Sequence, residues 1–164
     1  LAAVTALTVR EFIMEKKNYK IVYVDVNSIY DSFSFKKEIE AKLIKTKETR
    51  RNILDSMQLQ LRVLANTLSP KIEKERIMFE AKRQEYFAKE KTFSEDNDAL
   101  TREYSAQVLK QMNLYIQDYG KEQGYTYILG ADGNGSLMFA DERNNITKEV
   151  VEYLNRKYKG GELK

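Results

Sequence analysis

The sequence of 164 residues contains no cysteine and no histidine. Without cysteine the chain has no disulfides and no thiolate metal sites, and it loses nothing in an oxidising compartment. Without histidine it lacks the commonest general base and the commonest metal ligand. Any catalytic site would have to use carboxylates, lysines, tyrosines or hydroxyls.

Helix-breaking residues are also scarce, since the chain has one proline and seven glycines. Charged residues are common, at 32% of the chain. This composition favours long uninterrupted helices. The net charge of +3 is mildly basic, without the strong excess that a dedicated nucleic-acid-binding protein carries. We therefore expect no nucleic-acid partner.

Residues 1–18 are apolar and rich in small side chains up to Val9, and charged beyond it. Val4-Thr5-Ala6 resembles the cleavage site that follows the apolar region of a signal peptide. A short helix of the mature protein over residues 4–16 is the alternative. We treat residues 1–18 as a leader segment or anchor remnant, and expect the natural chain to extend upstream of Leu1.

Two long helices follow one strand. Lys20–Val26 is short and rich in β-branched and aromatic residues, which predicts a strand. Asn27-Ser28 can cap the helix after it, and nothing breaks that helix before Ser69-Pro70. The next breakers are Gly120 and Gly124. Two helices of roughly 40 and 50 residues with one tight break predict an antiparallel hairpin, a protruding arm.

Apolar residues are spaced as in a coiled coil along both helices. In the first helix they recur at spacings of three and four, at Leu54, Met57, Leu61, Leu64 and Leu68. In the second they recur at every seventh residue, at Ile72, Phe79, Tyr86, Phe93 and Leu100. These residues predict the interface between the helices, and a thin arm also leaves such side chains near water, where they can bind polypeptide or membrane. Nearer the base of the arm we expect deeper burial, at Tyr104, Val108, Met112, Tyr115, Ile116 and Tyr119.

Residues 124–141, GYTYILGADGNGSLMFAD, are the only cluster of glycines and carboxylates. The glycines lack the spacing of a dinucleotide-binding loop and lead into a strand, and there is no Walker lysine. A calcium loop starting at Asp132 would need a glycine where Leu137 stands and a glutamate where Arg143 stands, so the sequence does not fit a calcium loop. The remaining interpretation is a β-hairpin between Tyr125–Leu129 and Leu137–Ala140, in which Asp132-Gly133 and Asn134-Gly135 supply the positive-φ residues of the turn.

Basic residues lie along the start of the first long helix, at Lys36, Lys37, Lys42, Lys45, Lys47, Arg50 and Arg51. They form either a solvated helix face or a patch that attracts nucleic acid, anionic lipid or other negatively charged partners. Glu95, Asp96 and Asp98 have no companion histidine or cysteine, so we interpret them as solvated. We expect no catalytic residue, metal or cofactor, and no enzyme.

The predicted fold is α+β. A helix over Thr147–Tyr158, capped by Thr147, closes the chain and buries a face that contains Val150 and Leu154. Residues 19–33 and 105–160 form a small β body with three short strands per chain, and residues 34–104 form the helical arm. Three short strands make a marginal core for a monomer, so we expect oligomerisation through the strands.

The order of these features resembles the Skp/OmpH family of periplasmic chaperones. The resemblance covers residues 20–158 and lies in IVYVDV followed by Asn-Ser, the LSPKIEKE tip, the GYTYILGADG segment and the terminal ITKEVVEYLN helix. It implies a jellyfish-shaped homotrimer whose arms surround a cavity that holds unfolded outer-membrane proteins without ATP or any nucleotide. A basic lipopolysaccharide-contacting cluster of some members is not carried over, because Tyr86 and Asp96-Asn97 stand there.

The resemblance and the pattern together give two sets of candidate residues. The candidate client-binding residues of the arm are Lys42, Lys45, Lys47, Arg50, Arg51, Leu61, Leu64, Leu68, Ile72, Phe79, Tyr86 and Phe93. The candidate trimerisation residues of the body are Val22, Val24, Val26, Tyr127, Leu129, Leu137 and Phe139. The expected location is the periplasm, with an anionic membrane surface as a further partner. The alternative function is a structural coiled-coil adaptor that binds one folded partner or the membrane surface.

Overall fold

The computed structural model describes residues 19–69 and 72–160, so the predicted leader at residues 1–18 and Pro70 of the predicted arm tip lie outside the described residues. The described chain is mostly helical, with a long helical hairpin and a small sheet. Its elements are β1 (Ile21–Asp25), α1 (Val26–Ser32), α2 (Ser34–Thr67), α3 (Glu73–Gln123), β2 (Tyr127–Ala131), a 3-10 helix (Glu142–Asn144) and α4 (Thr147–Lys159).

The N-cap of the first helix lies two residues before the predicted cap at Asn27-Ser28. Asp25 is the N-cap of α1, and its Oδ1 accepts a hydrogen bond from the backbone N–H of Ser28 at 3.0 Å. Its Oδ2 accepts from the Ser28 hydroxyl at 2.7 Å. The hydrogen bond from the Ser28 backbone, followed by that from its hydroxyl, lowers the pKa of Asp25. An aspartate at the end of a strand thus also starts the helix.

The predicted uninterrupted helix is divided at Phe33, whose ψ of 120° is that of extended backbone. Asn155 of α4 bridges the break, because its Oδ1 accepts from the backbone N–H of Ser34 at 2.7 Å and its Nδ2 donates to the carbonyl of Ser32 at 3.1 Å. The Phe33 ring is buried, with its centroid 6.1 Å from that of Tyr115. Contacts with residues distant in the sequence therefore determine where the helix is interrupted.

The helices α2 and α3 form the antiparallel hairpin that the breakers predict. Leu43 and Tyr104 line one cleft near the base, while Arg50 reaches Asn97 farther out. At the far end α2 stops at Thr67 and α3 starts at Glu73. With 51 residues, α3 is roughly 75 Å long at the usual rise per residue.

The sheet has two parallel strands, with Ile21 opposite Tyr127 and Asp25 opposite Ala131. Parallel strands need a long crossover connection, and here the whole hairpin is that connection. Gly124 ends α3 at a φ of 68°, in the left-handed region that glycine adopts without strain. The chain then turns directly into β2.

The predicted β-hairpin after β2 is not formed within the described chain. Gly133 and Gly135 do have positive φ, 79° and 90°, and Asp132 Oδ1 accepts from the backbone N–H of Asn134 at 2.9 Å. Beyond this turn, however, Leu137–Ala140 is not part of a strand, and β2 pairs with β1. The Phe139 side chain is 87% exposed, so little burial holds this segment on the sheet. The described residues contain two strands where three were predicted.

The hydrophobic core lies where α1, the end of α3 and α4 meet β1. Its residues include the predicted Val108, Met112, Tyr115 and Tyr119 of α3, and Val150 and Leu154 of α4, so the predicted burial at the base of the hairpin is confirmed. The predicted cap of α4 is corrected: Thr147 is the first helical residue, and Asn145 Oδ1 accepts from its backbone N–H at 3.1 Å. The Thr147 hydroxyl instead accepts from the backbone N–H of Asp25 at 2.8 Å, which connects α4 to the start of α1.

Candidate binding surface

The predicted basic residues of α2 lie in different environments. Lys45 and Lys47 are exposed, with no ion pair to any residue that the structure describes. Lys42 is paired with Glu38 at 2.6 Å, and Arg51 lies 3.9 Å from Asp55. The hydrogen bond to Glu38 raises the pKa of Lys42. Both pairs are on the surface, where such pairs contribute little to stability and leave the charges accessible to a partner.

Arg50 is the exception, because it crosses from α2 to α3. Its guanidinium donates to Asn97 Oδ1 at 2.5 Å and lies 3.4 Å from Asp96 Oδ2. The same group lies 5.3 Å from the centre of the Phe93 ring. This cation–π contact and the hydrogen bonds hold the two helices together midway along the hairpin. Arg50 is a predicted client-binding residue, and these contacts within the chain engage its guanidinium. Its binding of a client stays a prediction.

The predicted apolar residues of the hairpin lie mainly between the two helices. Those that are half-buried are Leu61, Leu64, Leu68, Phe79, Tyr86 and Phe93. Ile72 is 47% exposed, near the turn. Burial, with Glu90 as a further cause, raises the pKa of Tyr86. These side chains form the interface between α2 and α3, so only part of each is accessible to a partner.

A second set of large apolar side chains, which the heptad pattern missed, is more exposed. These residues are Ile44, Ile53, Leu59 and Val63 on α2, and Ile77, Met78, Phe87 and Leu109 on α3. Their exposures include 60% for Ile77 and 55% for Phe87. The sequence does carry a signal for them: Met78-Phe79 and Tyr86-Phe87 are adjacent apolar pairs. Successive helical side chains point about 100° apart, so both members of a pair cannot face the same partner helix.

A groove runs along one side of the hairpin. Ile53, Met57 and Leu61 of α2 line it, and Lys82, Glu85 and Lys89 of α3 lie across from them. A smaller apolar depression farther out on α2 is lined by Leu59, Val63 and Leu64. The hairpin thus presents apolar contacts beside charges of both signs, an arrangement suited to non-covalent binding of polypeptide.

The predicted trimerisation residues divide between the core and the surface. Val24 is buried, and Val22 and Val26 pack partly buried against the core. Tyr127, Leu129 and Phe139 are exposed by 55%, 41% and 87%, while Leu137 is half-buried. Tyr127 and Leu129 share one face of β2 because side chains alternate along a strand. Met138, which the prediction omitted, is 86% exposed.

In the part of the chain that the structure describes, no helix is long and apolar enough to cross a membrane. Within residues 19–69 and 72–160, no three histidine, cysteine or acidic side chains are grouped so that they could hold a metal ion.

The architecture is that of an α+β protein with a long helical hairpin on a small base. The sequence profile of the family described as outer membrane protein (OmpH-like) matches residues 20–154. The chain belongs to this OmpH-like family.

Among solved structures, that of an OmpH-like protein is similar over most of both chains. It is the crystal structure of an OmpH-like candidate outer membrane chaperone from Caulobacter crescentus CB15, with a TM-score of 0.63 and 18% sequence identity. The match covers 85% of each chain, and at this identity it shows a shared fold. No curated protein sequence matches the chain.

Proposed function

We propose that this chain is a chaperone of the periplasm that binds unfolded outer-membrane proteins without ATP and prevents their aggregation. Membership of the OmpH-like family supports a chaperone role, as does the shared fold with a protein described as a candidate outer membrane chaperone. The observation that carries the proposal is the set of large exposed apolar side chains along the hairpin, such as Leu59, Ile77 and Phe87.

The hairpin surface suits diffuse binding of an unfolded chain. Each exposed apolar side chain offers a small contact area, and the accessible lysines Lys45 and Lys47 add long-range attraction that weakens with salt. Many weak contacts made at once give strong but reversible binding, because the later contacts form within one complex. Such a surface needs no nucleotide.

We further propose that three copies assemble, with residues 34–104 as arms around a cavity and residues 19–33 and 105–160 as a joint body. The exposed Tyr127 and Leu129 on one face of the two-stranded sheet, together with Met138 and Phe139, support this assembly. Large apolar side chains exposed to this degree on a small body indicate a protein interface.

The test of the chaperone function is light scattering from an unfolded β-barrel outer-membrane protein diluted out of urea, with no nucleotide present. We expect an equimolar amount of the trimer to suppress the scattering. Undiminished scattering at that ratio would show that the chain is not a chaperone for this class of client.

Variants of the exposed residues separate a chaperone from an adaptor with one folded partner. Leu59→Ser or Phe87→Ser alone should weaken suppression only slightly, and the combination should weaken it more, because the contacts are distributed. If a single substitution abolished the suppression of aggregation while the circular dichroism signal of the helices stayed intact, the adaptor function would be favoured. The interface residues Phe79 and Phe93 are unsuitable for this purpose, since their loss would perturb the hairpin itself.

A further inference from the structure

The groove beside Ile53 brings apolar, polar and charged side chains to one place. Ile53 is 40% exposed, and Met57 and Leu61 lie next to it, half-buried. The groove has a volume of about 560 Å³. It therefore has room for more than one side chain of a bound segment, with Ile53, Met57 and Leu61 as the apolar contact.

Besides these apolar side chains, α2 contributes a polar, uncharged wall to the groove. Asn52, Ser56 and Gln60 line it on that side. An extended polypeptide has backbone N–H and C=O groups along its edges, and these groups need hydrogen-bond partners when water is displaced. Amide and hydroxyl side chains can donate and accept, so this wall can satisfy either kind of backbone group.

The wall that α3 adds carries an excess of positive charge. Lys82 is half-buried and has no ion pair with any residue that the structure describes, while the nearest salt bridges on its helix join Arg83 to Glu80 and Arg76 to Glu73. Lys89 lies 5.8 Å from the centre of the Phe93 ring, and Glu85 is the acidic member of the lining. A carboxylate on a partner would pair with Lys82.

We propose that this groove is a discrete subsite for an extended polypeptide segment that carries apolar side chains and one carboxylate. The proposal rests on the chaperone function above and adds to it a preference in sequence. The apolar side chains contact Ile53, Met57 and Leu61, and the carboxylate pairs with Lys82.

Two fluorescein-labelled peptides test the preference, using the full chain and fluorescence anisotropy. Both alternate valine with serine, and one has aspartate at its centre where the other has lysine. We expect the aspartate peptide to bind more tightly. Lys82→Glu should weaken it about fivefold and strengthen the lysine peptide, as for one partly exposed charge pair. Lys110→Glu makes the same charge change on an exposed part of α3 and should leave the preference unchanged.

Cross-linking to the unaltered protein gives a result that does not depend on a variant. A photoreactive benzophenone in the aspartate peptide should label residues 49–61 and 82–89. Labelling elsewhere, or a preference that Lys82→Glu does not reverse, would overturn the subsite. Phosphatidylglycerol vesicles that bind through Lys82 when the peptides do not bind would assign the groove to lipid instead.

The two proposals fail in different ways. Suppression of aggregation without peptide labelling in the groove leaves the chaperone function standing and removes the subsite. A peptide preference that reverses with Lys82→Glu, without any suppression of aggregation, leaves a peptide-binding groove and removes the chaperone function.

Discussion

The guanidinium of Arg50 on α2 donates a hydrogen bond to the side-chain oxygen of Asn97 on α3, with an Nη1–Oδ1 distance of 2.5 Å. The Arg50 side chain is only 21% exposed, so the contact lies at the edge of an otherwise apolar interface. Polar pairs in coiled-coil interfaces favour one alignment of the helices, because any shift leaves a half-buried polar group without its partner. The Arg50–Asn97 pair therefore stabilises the observed alignment of α2 against α3.

Replacing Arg50 with alanine tests that role. We expect Arg50→Ala to lower the free energy of unfolding by about 1–2 kcal/mol, since it removes a charge-assisted hydrogen bond and a ring contact. Urea unfolding followed by circular dichroism measures this loss. The control is Arg51→Ala, whose parent side chain is 83% exposed and should change stability by less than about 0.5 kcal/mol. Equal losses in the two variants would show that Arg50 does not hold the helices together.

The break between α1 and α2 gives a second prediction, because Asn155 bonds the backbone on both sides of it. Asn155→Ala leaves two partly buried backbone groups without these bonds and should lower the free energy of unfolding by about 2–3 kcal/mol. Asn155→Asp keeps an acceptor for Ser34 and should cost less. Glu152→Ala, an exposed position on the same helix, is the control in the same urea titration. A loss no larger than the control's would mean that the buried Phe33 holds the break without Asn155.

The long hairpin was predictable because its causes are local. Two long stretches lack helix breakers, and Ser69-Pro70 separates them. The break at Phe33 was not predictable in this way, since no glycine or proline marks it. Its causes are Asn155 and the ring of Tyr115, both more than 80 residues away in the chain, and single-sequence patterns do not encode such contacts.

The turn that contains Gly133 and Gly135 was also predictable only in part from the sequence. Gly133 and Gly135 were correctly expected to have positive φ, which is a local property of the residue. The strand pairing was wrong, because a turn residue does not specify which segment pairs with the strand before it. β1 takes that place beside β2, as the register from Ile21–Tyr127 to Asp25–Ala131 shows.

The candidate surface was predictable only in part. Heptad spacing identifies residues such as Phe79 and Phe93, which the structure places between the helices. It also implies that apolar residues off that spacing, such as Leu59 and Phe87, face away from the interface. Which of these side chains remain exposed depends on how the two helices pack, and the sequence alone does not give that packing.

The buried phenol of Tyr153 makes stability depend on pH. Burial, followed by the hydrogen bond that its hydroxyl donates to Glu122 at 2.7 Å, raises the pKa of Tyr153 to about 12. The folded chain thus holds this proton more tightly than the unfolded chain, whose value is 10.0. The stabilisation is fully present below pH 10 and is lost as the pH rises towards 12.

Tyr153→Phe removes that titration. Between about pH 9 and about pH 11.5, the variant should lose about 2 kcal/mol less free energy of unfolding than the parent chain, as measured by urea unfolding. Tyr127→Phe is the matched control, since its ring is 55% exposed. Identical pH profiles for the parent and Tyr153→Phe would show that this phenol does not cause the loss of stability.

The exposed pair Met138 and Phe139 tests the proposed assembly. Their side chains are 86% and 87% exposed in the single chain. Covering this apolar surface with a second copy would stabilise an assembly. We expect size exclusion with light scattering to give a trimer for the parent chain and a large shift to monomer for Met138→Ser/Phe139→Ser. Leu109→Ser, a matched change at an exposed position of α3, should remain trimeric. A monomeric parent chain would contradict the proposed assembly. A double variant that stays trimeric would show that the trimer interface lies elsewhere, because removing two exposed apolar side chains should abolish a contact that depends on them.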